Sequence, residues 1–157
     1  KNIKNTSHHP HDELIGNAFS THTSQDSFMS KTIEDRIQSA VNEYAEFYGL
    51  GSVKIGNIWS NIQHSGSYLN EHTHPDSIIS GALYINVDET CKLYFHNPNP
   101  YNGFTHYDKM NDFNYQFVWI NVKNYQLILF PSWLKHGKHN EVNMMDDRVV
   151  ISFNCSS

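Results

Sequence analysis

The sequence predicts a mainly β protein, a sandwich or jelly roll of two facing sheets, preceded by one supporting N-terminal helix. A single amphipathic pattern is followed, from Ser52 onward, by many short apolar segments with turn-rich pieces between them. Only 17% of the residues are charged, and the uncharged polar remainder favours an all-β protein over a helical bundle. We predict one domain spanning residues 1–157, a length sufficient for a core of its own.

The N-terminal stretch, residues 1–29, is polar and rich in histidine, with rings at His8, His9, His11 and His22. Such a tract can bind metal, but its pattern predicts no regular structure that would hold the rings together. We therefore predict a loosely ordered arm and assign it no function.

One helix is predicted, over residues 32–48. Its apolar residues recur at steps of three or four, which places them on one face; they are Ile33, Ile37, Val41, Tyr44 and Tyr48. Ser30 or Thr32 can cap its start, and Gly49 can end it. This single stripe predicts a helix that packs behind a sheet.

The remainder is predicted to form strands, over 53–62, 78–87, 92–95, 117–122, 126–130 and 148–154. Turn-rich segments separate them at 64–70, 97–114 and 138–147. The 97–114 segment is longer than a hairpin needs. Loops of this size are often binding lids, although a surface excursion fits the pattern too.

Charge and cysteine content limit the classes of partner. The net charge of −5, without a basic run, argues against a nucleic-acid-binding surface. Cys91 and Cys155 lack the dense spacing of a disulfide scaffold, which favours free thiols in a reducing compartment. No signal-peptide pattern and no apolar stretch of ~20 residues is present. We expect a soluble protein of the cytoplasm, without nucleic-acid or membrane partners, whose oligomeric state the sequence leaves open.

A His-x-His pattern is the strongest candidate for chemistry. His72 and His74 lie between a polar turn and an apolar strand, and residues i and i+2 of a strand point to the same side. Pro75 then ends strand pairing, and His136 follows another apolar strand, from which it can join the pair. Although a chance pair is expected among eleven histidines, this placement favours a metal site. Nitrogen donors alone suit Fe(II), Zn, Cu and Ni about equally.

Arg148 is the second candidate. It begins the apolar segment 148–154, in which Ser152 shares its face. An arginine inside a barrel needs an anion, because its charge is retained at neutral pH, and its planar fork matches a carboxylate. The alternative is a salt bridge at the rim, to Asp146, Asp147 or another acid.

Five blocks follow one another along the chain: Trp59-Ser60-Asn61, His72-Thr73-His74-Pro75-x-Ser77, Ser80-Gly81-x-x-Tyr84, Leu129-Phe130-Pro131-Ser132-Trp133-x-x-His136 and Arg148-Val149-Val150-Ile151-Ser152-Phe153-Asn154. Together they resemble the Fe(II)/2-oxoglutarate oxygenases of phages and bacteria, relatives of the prolyl-hydroxylase type. The resemblance covers most of the chain after Ile55 and implies a double-stranded β-helix, iron, and 2-oxoglutarate as cosubstrate. If the gene is viral, the protein's place is the host cytoplasm.

The resemblance also implies roles for individual residues. His72, His74 and His136 would hold iron, and Arg148 would bind the distal carboxylate of 2-oxoglutarate. Candidates for hydrogen bonds to the cosubstrate are Tyr84, Asn61 and Ser152.

The sequence departs from the wider superfamily at His74, where Asp or Glu is usual. Asp76 could supply that carboxylate if the backbone turns at Pro75, but strand geometry favours His74. A neutral third ligand would leave the iron centre more positive.

The activity that the resemblance implies is hydroxylation of an unactivated C–H bond, with dioxygen as oxidant and succinate and carbon dioxide as co-products. The substrate is not readable; a peptide side chain such as proline, or a small molecule, is expected by analogy. One rival is a cupin-like metalloenzyme that uses no 2-oxoglutarate and so needs no inward arginine. The other is a non-catalytic, phage-associated binding module.

Overall fold

The structure, a computed structural model, describes residues 9–10, 15–21, 29–111, 113–137 and 142–157. Its elements in chain order are β1 (His9–Pro10), β2 (Ile15–Ser20), α1 (Lys31–Phe47), β3 (Lys54–Leu69), β4 (Ile79–Asn86), β5 (Lys92–His96), β6 (Phe117–Asn121), β7 (Leu127–Pro131) and β8 (Arg148–Ser156). The predicted succession of one helix and many short strands is confirmed.

The strands form two sheets. Among the described residues, six strands pair antiparallel in the order β1-β2-β3-β8-β4-β7. The second sheet consists of β5 and β6, and isolated bridges extend it from Phe95 to His136 and from His136 to His72. The mainly β class is therefore confirmed, and two of the predicted metal ligands lie on neighbouring segments of the smaller sheet.

A hydrophobic core fills the space between the sheets. Its buried side chains are Ala82, Tyr84, Val87, Cys91, Leu93, Phe95, Val122, Phe130 and Val150. Because side chains alternate across a strand, the even-numbered residues of β4 and β8 point into this space. Arg148, at the start of β8, belongs to the same inward-facing set as Val150.

Helix α1 covers the outer face of the larger sheet. Its buried residues Ile37, Val41 and Ala45 pack with Phe153 of β8 and other outward-facing residues of the sheet. The predicted stripe was too wide: Ile33 and Tyr48 are exposed, whereas Ala45 is buried. The helix touches the sheet only along the i, i+4, i+8 line of its middle turns, and both exposed residues lie at its ends.

Gly81 is required by this packing. A Cβ atom at Gly81 would lie 2.2 Å from the ring of Phe153, which is fully buried beneath the helix. The Ser80-Gly81 block of the sequence therefore marks a place where β4 passes directly under an aromatic ring.

The turn predicted at residues 64–70 is wrong, because β3 continues to Leu69. Two neighbours hold this polar segment extended: β2 pairs with it, from Ile15 opposite Leu69, and the backbone of Asn143 bonds to Gly66 and Ser67. Gly66, with a φ of +86°, allows the bend that the strand needs there.

Residues 15–20, within the predicted arm, form β2 along the edge of β3. The physical reason is that an edge strand offers unpaired backbone groups, which recruit a neighbour whatever its side chains. Ala18 is buried there. His8, His11 and His22 lie outside the described residues.

The 97–114 segment is held by asparagine side chains. Asn102 Nδ2 donates to the carbonyl oxygens of Asn114 and Tyr115, at 2.8 and 2.6 Å. Phe104 and Phe113 are almost fully exposed. A role as a lid stays a prediction.

Two further expectations concern cysteines and membranes. Cys91 and Cys155 are free and buried, as predicted. In the part of the chain that the structure describes, no helix has the length and apolar character to cross a bilayer.

Candidate metal centre and cosubstrate cavity

Three imidazoles meet between the sheets. His72, His74 and His136 each place a ring nitrogen within 4.8 Å of the others. Backbone hydrogen bonds bring the three residues together. His72 and His136 exchange two N–H to carbonyl hydrogen bonds, of 2.9 and 3.0 Å. His74 N–H donates to the carbonyl of Ser132 at 2.9 Å. Residues 72–74 are therefore extended against residues 132–136, and their spacing of two places both rings on one side.

Backbone carbonyls fix the tautomers of two rings. His72 Nδ1 lies 2.8 Å from the Asn70 carbonyl oxygen, and His136 Nδ1 lies 3.0 Å from that of Leu134. A carbonyl only accepts, so each Nδ1 carries the proton and donates it. Each Nε2 consequently carries a lone pair with which it can coordinate a metal ion, the arrangement by which metal-binding histidines are usually oriented.

The distances and charge states suit a cation. His74 Nε2 and His136 Nε2 lie 3.2 Å apart, close to the ~3 Å between adjacent ligands of an ion with metal–nitrogen bonds of about 2.1 Å. Burial, and then the neighbouring His72 ring, lowers the pKa of His136 to about 3. His136 is therefore neutral at physiological pH and needs no deprotonation before it binds a metal.

Asp76, the alternative third ligand, does not join this cluster. Pro75 and Asp76 do form a turn, with Asp76 at a φ of +63°, but the Asp76 side chain is exposed. The group that can hold a metal contains His74 instead.

Arg148 lines the same cavity as the three histidines, a space of about 420 Å³. Its Nε is buried and has no hydrogen-bond partner among the described residues. The rim salt bridge considered above is not formed: Asp146 accepts from the Ser65 backbone, and Asp147 lies 3.9 Å from His64. A buried N–H of a guanidinium without a partner among the described residues suits an anionic ligand in the cavity.

The other predicted cosubstrate contacts all line this cavity. The Tyr84 ring lies 5.8 Å from the Arg148 guanidinium carbon, and burial raises the pKa of Tyr84 to about 12. Asn61 is buried, with no partner for its Oδ1 among the described residues. Ser152 is half-buried on β8, two residues from Asn154 on the same face.

Gln63 and Ser67 also line the cavity, and the sequence analysis missed them. Both are buried, and in the described part of the chain Ser67 Oγ has no hydrogen-bond partner. They continue the alternation that starts at Trp59 and Asn61 on β3. That alternation was the available signal, and the turn wrongly predicted at 64–70 interrupted it.

Strand β3 relates the two halves of the site. The Trp59 ring lies 6.2 Å from the His74 ring, whereas Gln63 pairs with Arg148. Four residues of strand separate these positions, about 13 Å along the sheet. This distance can be spanned by a keto acid bound to a metal at one end and an extended arginine side chain at the other.

Residues 57–154, more than half of the chain, match the family model of 2OG-Fe(II) oxygenases. The chain belongs to this family. The cofactors of the oxygenase are accordingly Fe(II) and 2-oxoglutarate. Its residues fit both groups, since three ring nitrogens converge at one place and the buried Arg148 Nε, without a partner among the described residues, shares their cavity. No curated protein matches the sequence.

Solved structures share the fold at low sequence identity. An oxidoreductase of the 2OG-Fe(II) oxygenase family from Burkholderia pseudomallei is 12% identical to this chain in sequence, with a TM-score of 0.66. The match covers 98% of this chain and 73% of that chain. HygX from Streptomyces hygroscopicus, solved with nickel and 2-oxoglutarate bound, is 9% identical with a TM-score of 0.59, covering 98% and 74%. A Pseudomonas putida prolyl-4-hydroxylase is 16% identical with a TM-score of 0.52, covering 95% and 76%. The predicted double-stranded β-helix is confirmed.

Proposed function

We propose that this oxygenase hydroxylates a C–H bond of a peptide or small molecule, with His72, His74 and His136 as iron ligands and Arg148 as the anchor for 2-oxoglutarate. One observation carries the proposal: the three imidazoles and the unpaired, buried Nε of Arg148 share one cavity. A metal centre paired with a carboxylate site suits a cosubstrate that chelates through its keto acid and ends in a second carboxylate.

The chain's own part in catalysis is binding and orientation. When bound, iron and 2-oxoglutarate would supply the chemistry by which dioxygen, the oxidant, delivers one oxygen atom to the C–H bond and the other to succinate, with release of carbon dioxide. The Arg148 fork accommodates the distal carboxylate with two charge-assisted hydrogen bonds. The Ser67 hydroxyl faces the same cavity and can donate a further hydrogen bond, and Asn61 Oδ1 can accept one. Apolar walls, including Phe130 and Val150, keep water from competing with these contacts.

The cupin-like alternative, a metalloenzyme without 2-oxoglutarate, fits the cavity less well. It would leave the Arg148 Nε buried without a hydrogen-bond partner among the described residues, at a cost of about 1–3 kcal/mol. The unsatisfied Nε therefore favours the keto acid.

For the substrate we propose a peptide side chain, such as proline, or a small molecule. Proteins of this fold include a prolyl-4-hydroxylase and HygX, which has been solved with hygromycin B bound. The fold accommodates both classes, so a hydroxylation screen has to include both.

The proposed function is tested by titrating 2-oxoglutarate into the anaerobic Fe(II) protein and then admitting oxygen. We expect saturable charge-transfer absorbance from the chelate, followed by release of succinate. Iron binding without 2-oxoglutarate binding would favour the cupin-like reading. Chelate formation without succinate, even over many hours, would favour a binding module.

The choice between His74 and Asp76 has its own test. Because His74 lies in the cluster and Asp76 is exposed, His74→Ala is expected to weaken Fe(II) binding at least ~100-fold, and Asp76→Ala to change it little. His74→Asp should retain iron, since a carboxylate replaces the lost donor. Anaerobic metal titrations measure all three variants, and the opposite ranking of the two alanine variants would transfer the role to Asp76.

A further inference from the structure

Within the described ranges, the lining of the cavity that holds the proposed metal centre has no acidic side chain. Among the described residues that line it, none is Asp or Glu, and the charged side chains are Arg148 and Lys92. Lys92 directs its Nζ over the ring of Trp119, 5.5 Å from the centroid, and that ring is half-exposed. The buried charge is therefore that of Arg148.

The neighbours of Arg148 leave its charge uncompensated. Burial raises the pKa of Tyr84 to about 12 and raises the pKa of the Cys91 thiol as well. Both groups are consequently neutral at physiological pH. Neither supplies the negative charge that a buried guanidinium would otherwise attract.

The nearest carboxylates act elsewhere. Glu71, next to His72 in the chain, pairs with Lys135 at 2.5 Å and lies 3.7 Å from His96 Nε2. Asp88 is exposed and accepts hydrogen bonds from the backbone and side chain of Thr90. Glu71 is thus balanced by a cation of its own. The pKa of the Asp88 carboxyl is lowered chiefly by the hydrogen bond from the Thr90 side chain and to a smaller extent by the charge of Arg148, which water screens at this exposed position.

We propose that the loaded site takes an anionic third component, so that the substrate presents an acidic group, such as a carboxylate, beside the metal. This inference rests on the proposed function. A divalent ion and Arg148 contribute three positive charges, 2-oxoglutarate contributes two negative ones, and three imidazoles contribute none. One positive charge remains, whereas a carboxylate in place of His74 would leave the site neutral.

The remaining charge acts strongly because the cavity lies between two sheets. At a separation of about 5 Å and an effective dielectric constant of about 20, one unit charge changes the affinity for an anion by on the order of a hundredfold. A neutral substrate of the same shape gains nothing from it. The site therefore discriminates between substrates by charge before it discriminates by shape.

The experiment uses azide as the probe and cobalt as the spectroscopic metal. Wild-type protein and His74→Asp are loaded with Co(II), saturated with 2-oxoglutarate, and titrated with azide while the cobalt absorption bands are followed. We expect azide to bind at least ~10-fold more weakly to His74→Asp, because the new carboxylate cancels the remaining charge.

A second variant makes the test independent of the metal ligands. Asn61→Asp adds a negative charge to the cavity wall with almost no change of shape, and it should weaken azide binding in the same direction. Acetate and acetamide, which share a shape and differ in charge, then compete against azide. Acetate should displace it, and acetamide should not.

The outcomes separate this inference from the proposed function. Cobalt and 2-oxoglutarate are titrated first, and a wild-type protein that binds neither overturns the proposed function itself. If both bind but azide has the same affinity for wild type, His74→Asp and Asn61→Asp, the anionic component is overturned and the oxygenase assignment stands. Chloride is then added as a further competitor of azide, to identify the source of the anion. If chloride displaces azide as readily as acetate does, the anion is a free inorganic one. If only acetate displaces azide, the anion is an acidic group of the substrate.

Discussion

Arg148→Ala is expected to weaken 2-oxoglutarate binding by tens to thousands of fold, on the order of 2–5 kcal/mol, while the Fe(II) content stays unchanged. Arg148 is no part of the metal cluster, and its buried Nε has no partner among the described residues. The variant therefore removes the two charge-assisted hydrogen bonds to the distal carboxylate and leaves the iron ligands in place.

Two matched variants sharpen this result. Arg148→Lys should recover only part of the affinity, because an ammonium group keeps the charge but not the planar fork. Arg36→Ala, an exposed arginine on α1 behind the larger sheet, should bind 2-oxoglutarate like wild type. The readout is the charge-transfer absorbance of the anaerobic Fe(II) complex. If Arg148→Ala bound 2-oxoglutarate with wild-type affinity, Arg148 would be a structural residue and the cupin-like alternative would be favoured.

His136→Ala is expected to abolish stoichiometric iron binding, and His72→Ala to do the same. Each variant removes one of three nitrogen donors, and two imidazoles alone hold a divalent ion only weakly. The fold should survive, since the hydrogen bonds between residues 72 and 136 belong to the backbone and remain in both variants.

His106→Ala is the matched control, because the His106 side chain is almost fully exposed. Iron content after anaerobic loading, measured alongside circular dichroism, separates a lost ligand from a lost fold. Iron bound by His136→Ala at the wild-type ratio would remove His136 from the ligand set.

The local parts of the site could be predicted from the sequence, because they depend on strand periodicity. The spacing of His72 and His74 and the shared face of Arg148 and Ser152 both follow from a period of two. The approach of His136 to His72 depends on which segments become neighbours in the smaller sheet, and no local pattern encodes that order.

The errors arose where tertiary contacts outweigh local composition. Residues 64–70 contain Ser-Gly-Ser and predict a turn, yet β2 and the backbone of Asn143 hold them extended. That error removed Ser67 from the predicted cavity, and the predicted strand, which ended at residue 62, stopped one residue before Gln63. Similarly, β2 forms in a polar stretch because the edge of β3 is available to pair with it. The substrate, the oligomeric state and a phage origin stay predictions.

The position of β8 between β3 and β4 has a consequence for how the protein folds. Its partners Gln63 and Leu83 are far from β8 in sequence, so the larger sheet closes only after long loops have been brought together. Contacts between residues far apart in sequence slow folding. We therefore expect the central strand β8 to be among the last parts of the larger sheet to form. His72 and His74 are close neighbours in the chain, whereas Arg148 reaches the cavity only through β8. In a partly folded chain, two of the three proposed metal ligands are thus already close together before the proposed dicarboxylate anchor reaches the cavity.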